Sequence, residues 1–239
     1  MDRTVFITGA DRGLGYALAA GLLERGWQVF AGQFMPDWPD LAALAGRWGD
    51  ALHIVPLDVS SLESARAASQ AVTAITDHLD LLINNAGVTT PTLLRPIREP
   101  QDYAEMHRLY DVNTLGPLRI VEAFLPLTDR GSLKRLCFVS SEAGSIARAK
   151  RTAWFGYVMS KAALNMAARI LFNDLRPQGY TFRLYHPGWI RSYMGGKKST
   201  EGVFEPEEAA ARAIPIFLDA RPDEDRLALV DFDGKEWPW

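Results

Sequence analysis

The chain has 239 residues, a formal net charge of −3 and one cysteine, Cys137. That length can bury a sizeable core and fits one α/β domain. The near-neutral balance excludes an electrostatic reader of nucleic acid, and a lone cysteine excludes an intrachain disulfide and suits a reducing compartment.

No apolar run is long enough to span a bilayer. The N-terminus enters a strand-like run at once, without a signal-peptide layout. The expected location is the cytoplasm, with neither membrane nor nucleic acid as a partner.

Short β-branched runs alternate with longer helical patterns, as in a parallel sheet covered by helices. The strand candidates are Thr4–Thr8, Gln28–Gly32, Leu52–Leu57, Leu79–Asn84, Leu133–Ser140, Thr181–His186 and Leu227–Asp231. The helices between them begin near Gly13, Asp37, Ser61, Glu99, Asp111, Trp154 and Glu205. Ser60 and Glu63 have the spacing of a capping box, and Pro206 falls in a first helical turn, where proline is tolerated. Arg176-Pro177-Gln178-Gly179 ends the long helix that starts near Trp154. Right-handed crossovers turn such a chain into an open, doubly wound α/β sheet. Ligands of these sheets lie outside the carboxyl ends of the strands, and each motif below falls at or just after such an end.

The first strand runs into Thr8-Gly9-Ala10-Asp11-Arg12-Gly13-Leu14-Gly15. Glycines there permit a tight turn and a close backbone approach to a pyrophosphate, and the helix N-terminus adds unpaired N–H groups. The alternative is an ordinary strand–turn–helix with glycines for packing. The spacing, Thr-Gly-x-x-x-Gly-x-Gly, resembles the short-chain dehydrogenase/reductase family. The resemblance implies a Rossmann-type sheet of about seven strands in the order 3-2-1-4-5-6-7, helices on both faces, a single domain over 1–239 and a substrate loop at about 191–205. It also implies a cofactor cradle of Gly9, Arg12, Gly13, Leu14 and Gly15.

After the second strand, an acidic residue would accept from an adenosine ribose diol and repel a 2′-phosphate. That place falls on Gln33, followed by Phe34, and neither is acidic. Arg12 can pair a phosphate or can be a solvated loop charge. NADP(H) is therefore expected over NAD(H). Asp58 and Val59 match the family's adenine border; Asp58 can equally help to cap the next helix. Asn84-Asn85-Ala86-Gly87 matches the family's Asn-Asn-Ala-Gly. There Asn85 braces neighbouring strands, while Ala86 and Gly87 leave room for a ribose. The alternative is a plain turn.

Tyr157 and Lys161 stand at i and i+4 of a predicted helix and share a face. A free phenol titrates near ~10, and a nearby ammonium favours the phenolate. Tyr157 is then a candidate general acid/base for a carbonyl or an alcohol. In the family the lysine also bonds the nicotinamide ribose. Ser141 matches the serine that polarises the substrate oxygen, with Ser140 as the alternative register. Asn113 matches a mid-helix asparagine that frees a carbonyl to hold a water beside the lysine. Pro187, Gly188, Ile190 and Ser192 match the turn beside the nicotinamide.

Several stretches resemble the C-factor and sniffer-like carbonyl reductase subgroup. They are Gly156–Met166, His186–Trp189, Met194–Gly196 and the tail Asp233–Trp239. The resemblance implies an NAD(P)-dependent oxidoreductase that reduces a carbonyl, or oxidises the alcohol, of a small molecule. The alternative is a dinucleotide-binding redox sensor with little turnover. The segments Ala143–Phe155 and Arg191–Phe204 are expected to wall the substrate site. Trp154, Trp189, Tyr193 and Met194 would make that wall apolar, for a largely apolar substrate. The excess length at Ile146–Thr152 should loop outward. Arg148, Lys150 and Arg151, like Lys197-Lys198, are solvated loop charges or draw an anionic substrate. The four histidines lack ligand spacing, so no metal is expected. A homodimer or homotetramer through the helices near Asp111 and Trp154 is expected from the family.

Overall fold

A computed structural model of the chain describes residues 3–90, 94–194 and 198–239. Seven parallel strands and one antiparallel strand form a single sheet. They are β1 (Thr4–Ile7), β2 (Gln28–Gln33), β3 (Leu52–Pro56), β4 (Leu81–Asn84), β5 (Arg135–Val139), β6 (Thr181–His186), β7 (Leu229–Asp231) and β8 (Glu236–Trp237). The order is β3-β2-β1-β4-β5-β6-β7-β8. The expected doubly wound sheet is therefore present, with one added strand at its edge. β8 is two residues long, too short to carry a periodicity. It exists because the Asp231 carboxylate closes the hairpin, accepting from the Asp233 and Lys235 amides and from Trp237 Nε1.

The helices are α1 (Gly13–Leu23), α2 (Asp40–Trp48), α3 (Leu62–Thr73), α4 (Tyr103–Tyr110), α5 (Gly116–Thr128), α6 (Phe155–Leu175) and α7 (Pro206–Leu218). The central strands alternate between two cores. Val5 and Ile7 face one that Leu18, Leu22, Ile214 and Phe217 complete, so α1 and α7 cover that face. Phe6 faces the other, with Val72, Phe124 and Leu164 of α3, α5 and α6.

Four local expectations change. The helix placed near Asp37 starts at Asp40, because Pro36 and Pro39 resist the helical hydrogen bond and conformation before it. The one placed near Glu99 starts at Tyr103, where the Asp102 side chain accepts from the Glu105 amide. The Ser60–Glu63 capping box does not form. Ser60 gives its hydroxyl and amide to Asp58 Oδ1, at 2.6 and 2.9 Å, and Ser61 caps α3 instead. The helix placed near Asp111 is continuous with α4 through a π-wound turn, Asp111–Leu115. Pro117 lacks the N–H that would bond the Asn113 carbonyl four residues earlier, which favours the wider winding there. Among the described residues, no helix is long and apolar enough to cross a membrane.

Candidate active site

A groove of about 1040 Å³ runs across the carboxyl ends of the strands. At its centre the turns after β1 and β4 are locked together. The Thr8 hydroxyl accepts from the amides of Asn85 and Ala86, each at 2.9 Å, and Asn85 Nδ2 donates to the carbonyls of Thr8 and Gly9. Gly9 has φ +63°, and a Cβ there would stand 2.9 Å from Ala86 Cα. At Gly15 a Cβ would stand 2.2 Å from the Gly9 carbonyl oxygen. Gly9, Leu14, Asn85, Ala86 and Gly87 line the groove here. Gly15 is packed beneath the turn, while Gly13, at φ +58°, is half-exposed and faces Ser192, with a Cβ there 3.7 Å from the Ser192 Cβ; neither is among the groove-lining residues.

At the inner end Asn113 is tied to Val88 in both directions: the Val88 amide donates to Oδ1 at 2.8 Å, and Nδ2 donates to the Val88 carbonyl at 3.0 Å. Nδ2 also donates to the Ser160 hydroxyl. Asn113 is buried and does not line the groove, but it sits next to the lysine. A Cβ on Gly87 would lie 3.4 Å from Asn113 Oδ1 and 3.7 Å from Lys161 Nζ. Ser160, unremarked in the sequence, clamps α6 to the π turn, since its carbonyl also accepts from Thr114.

Ser141, Tyr157 and Lys161 meet on the groove wall. The Ser141 hydroxyl accepts from the Ala143 amide at 3.1 Å and lies beside the Tyr157 phenol, whose pKa it lowers, whereas the Ser140 hydroxyl turns away to Asn165 Oδ1 at 2.5 Å. Geometry therefore separates the two serines that sequence register left open. Burial pushes the phenol up to about 12, against the effect of the Ser141 hydroxyl. Burial also brings the Lys161 ammonium down to about 8. The sequence-based expectation of a phenol lowered by its lysine is not what this geometry produces. Lys161 Nζ stands 5.8 Å from the centre of the Tyr157 ring, but its hydrogen bond goes to the Val139 carbonyl, 3.0 Å away.

At the adenosine end, β2 is followed by Phe34 and Met35, whose amides donate to the Asp11 carboxylate at 3.2 and 2.6 Å. Phe34, Met35 and Asp58 line the groove here, and Gln33 does not. Asp11 was missed in the sequence. An acid inside an anion-binding turn is the signal, because it must be spent on donors of its own. Arg12 lies over the rings of Trp38 and Tyr193, at 4.7 and 5.2 Å, and donates to the Tyr193 carbonyl. Tyr193 therefore belongs to this stack and not to the substrate wall where it was expected. Pro187, Gly188, Ile190 and Ser192 line the opposite side, and Val59 lines the groove beside Asp58.

The substrate end also departs from the expected apolar wall. Trp154, Trp189 and Met194 line it, but so do Glu142, Arg151 and His186. Burial lowers the His186 pKa, keeping the ring neutral, and its Nδ1 is buried without a partner. The residues 146–152 are exposed apart from their neighbours' contacts, as the outward loop requires. Lys198 pairs with Glu205, and Lys197, Gly195 and Gly196 lie outside the described residues. Met159, Met166 and Ile170 are exposed along α6, a helix for which a subunit contact was expected.

Comparison with known proteins places this geometry in a group. The model of the family described as short chain dehydrogenase matches residues 3–202. The chain is 40% identical to the C-signal of Myxococcus xanthus over 169 residues, covering 71% of this chain and 98% of that protein. Among solved structures, the NADPH-bound carbonyl reductase from chicken fatty liver superposes with a TM-score of 0.88 at 30% identity, over 100% of this chain and 99% of that one. The carbonyl reductase Sniffer of D. melanogaster does so at 0.87 and 25% identity, over the full length of both.

Proposed function

The chain belongs to the short-chain dehydrogenase family, and on that premise we propose that it reduces the carbonyl group of a small molecule with NADPH. The observation that carries this reading is the meeting of Ser141, Tyr157 and Lys161 on the wall of a groove whose floor is the glycine turn. The groove is large enough for an extended dinucleotide with a small substrate beside it. The floor fits the cofactor, since Gly9, Ala86 and Gly87 line it with little or no side chain. Gly9, Leu14, Asn85, Ala86 and Gly87 would hold its phosphates and ribose, with Ile190 and Ser192 at the nicotinamide and Asp58 and Val59 at the adenine. When bound, the nicotinamide supplies the hydride that the carbonyl carbon receives.

Tyr157 gives its hydroxyl proton to the carbonyl oxygen. Ser141 orients that oxygen through its hydroxyl, which lies beside the phenol. Lys161, charged, stabilises the oxyanion character that develops on the tyrosine. Asn113 keeps the π turn and Gly87 in register with the lysine. A phenol held at about 12 stays protonated at neutral pH, so the form that carbonyl reduction needs as donor is the populated one.

The pH profile follows from the lysine. Its value of about 8 means that its charge is present below that pH and lost above it. The reduction rate is expected to be level near neutrality and to fall as pH rises through about 8. A kcat/KM profile that rises across that interval would contradict the role given to Lys161.

NADPH is favoured over NADH by Arg12 and by the lack of an acid at Gln33 and Phe34. The two ring contacts fix the guanidinium plane at the groove edge, where a 2′-phosphate can accept from it. The test is a nicotinamide-fluorescence titration of the wild type and Arg12→Ala. Wild type is expected to bind NADPH more tightly than NADH, and the variant to lose roughly 10–100-fold in NADPH affinity, the worth of a charge-assisted hydrogen bond. Equal binding of both nucleotides would overturn the NADPH assignment. Binding of neither would overturn the oxidoreductase reading.

A further inference from the structure

The substrate end of the groove contains an ion pair that proton transfer does not use. Arg151 Nη2 donates to Glu142 Oε1 at 2.5 Å and Nη1 to Oε2 at 3.2 Å, a two-pronged contact. The guanidinium lies 5.0 Å from the Trp154 ring centroid, and Trp154 in turn meets the Tyr157 ring edge-on at 6.3 Å. Glu142 follows Ser141 directly in the chain. The pair thus stands on the groove wall two ring contacts from the phenol, and both its side chains are part-exposed, 35% for Arg151 and 25% for Glu142.

From this geometry we infer that the groove selects carbonyl compounds carrying a carboxylate, with Arg151 as the carboxylate's anchor; the inference rests on the carbonyl-reduction reading above. A guanidinium has five N–H donors, and Glu142 occupies two of them. The Arg151 side chain is 35% exposed beside the Trp154 ring, and no other acceptor among the described residues takes the remaining donors. An apolar substrate covering the pair would strip water from both charges and return nothing. A carboxylate replaces that water with charge-assisted hydrogen bonds in the geometry that guanidinium favours. A substrate ammonium has no equal claim. Both Glu142 oxygens already accept from Arg151, and residues 142–151 contain one acid against three cations, Arg148, Lys150 and Arg151.

The test uses two aldehydes of the same shape, 4-formylbenzoate and its methyl ester, which differ by one charge. Each is titrated calorimetrically into the NADP⁺-saturated protein, and each is assayed for reduction. Wild type is expected to bind the carboxylate at least ~10-fold more tightly than the ester, a gap of the size one charge-assisted contact supplies. Arg151→Gln is expected to abolish that preference, and Glu142→Gln, which releases the guanidinium, to widen it. The second variant keeps the test decisive should the first fold poorly. Equal or weaker binding of the carboxylate by wild type overturns the inference, as does a preference that survives Arg151→Gln or fails to widen in Glu142→Gln. A carboxylate preference in binding without reduction of either aldehyde would support the anchor while removing the carbonyl-reduction reading. The two can therefore fail separately.

Discussion

Replacing Tyr157 by phenylalanine is expected to lower kcat for carbonyl reduction by about 10²–10⁴-fold, the contribution of a positioned general acid. The substitution removes one hydroxyl and keeps the ring that packs against Trp154. It leaves Lys161 on the Val139 carbonyl and the lock between Thr8 and Asn85 intact. Dinucleotide affinity is therefore expected to change far less than turnover. Burial holds the phenol protonated across the neutral range, so the loss reads the absence of the donor and not a displaced titration. Steady-state kinetics beside a fluorescence titration of NADPH measure both quantities on one sample. A variant that keeps more than roughly a tenth of the turnover would take the proton-donor role away from Tyr157. Retention of biological function without turnover would favour dinucleotide sensing.

The second large effect lies in the lower sheet, away from the groove. Arg183 and Arg135 are almost wholly buried, with side chains 1% and 4% exposed, and both reach Glu224. Arg183 makes two contacts with it, at 2.6 and 2.8 Å, and Arg135 one at 3.4 Å. The arginines also donate to the carbonyls of Phe217, Leu218 and Asp219, so the cluster ties β5 and β6 to the end of α7. Glu224→Ala would leave two guanidiniums buried without their counter-charge. The expected loss is about 3–5 kcal/mol, the cost of breaking a buried pair from one side. At about 2–4 °C per kcal/mol for a chain of this size, Tm should fall by roughly 6–20 °C.

Burial works against the Glu224 charge, but hydrogen bonds from Arg183 and the Arg221 amide outweigh it and hold the carboxyl below its ordinary value. A carboxyl lowered by folding contributes stability above its unfolded pKa of ~4.3 and loses it as pH falls through the lower folded value. The difference between wild type and variant should therefore shrink in acid. Thermal melts at neutral and acid pH measure this. A neutral-pH Tm within about 2 °C of wild type would mean that the cluster contributes little.

The local chemistry that a few adjacent residues complete was legible from the chain. The glycine turn is a backbone property, the Tyr157–Lys161 spacing is a helical one, and the alternation of β-branched runs with helical patterns leads to a doubly wound sheet. Pro206 at the start of α7 and Gly179 beyond α6, at φ +91°, stand where proline and glycine preferences put them. Features that depend on which distant group arrives first were not legible. Ser60 and Ser61 are equivalent caps until Asp58 claims the hydroxyl of one. Ser140 and Ser141 are equivalent until Asn165 takes the hydroxyl of Ser140. Tyr193 looks like substrate wall until Arg12 and Trp38, far away in the chain, stack with it.

The sign of the phenol's shift shows the same division most clearly. Residue spacing alone determined that Tyr157 and Lys161 share a helix face, because helical geometry is local. Only the tertiary structure decided that Lys161 is buried, that the phenol is desolvated and that the ammonium turns to the Val139 carbonyl. Desolvation depends on everything packed around a group, and no stretch of neighbouring residues contains that information.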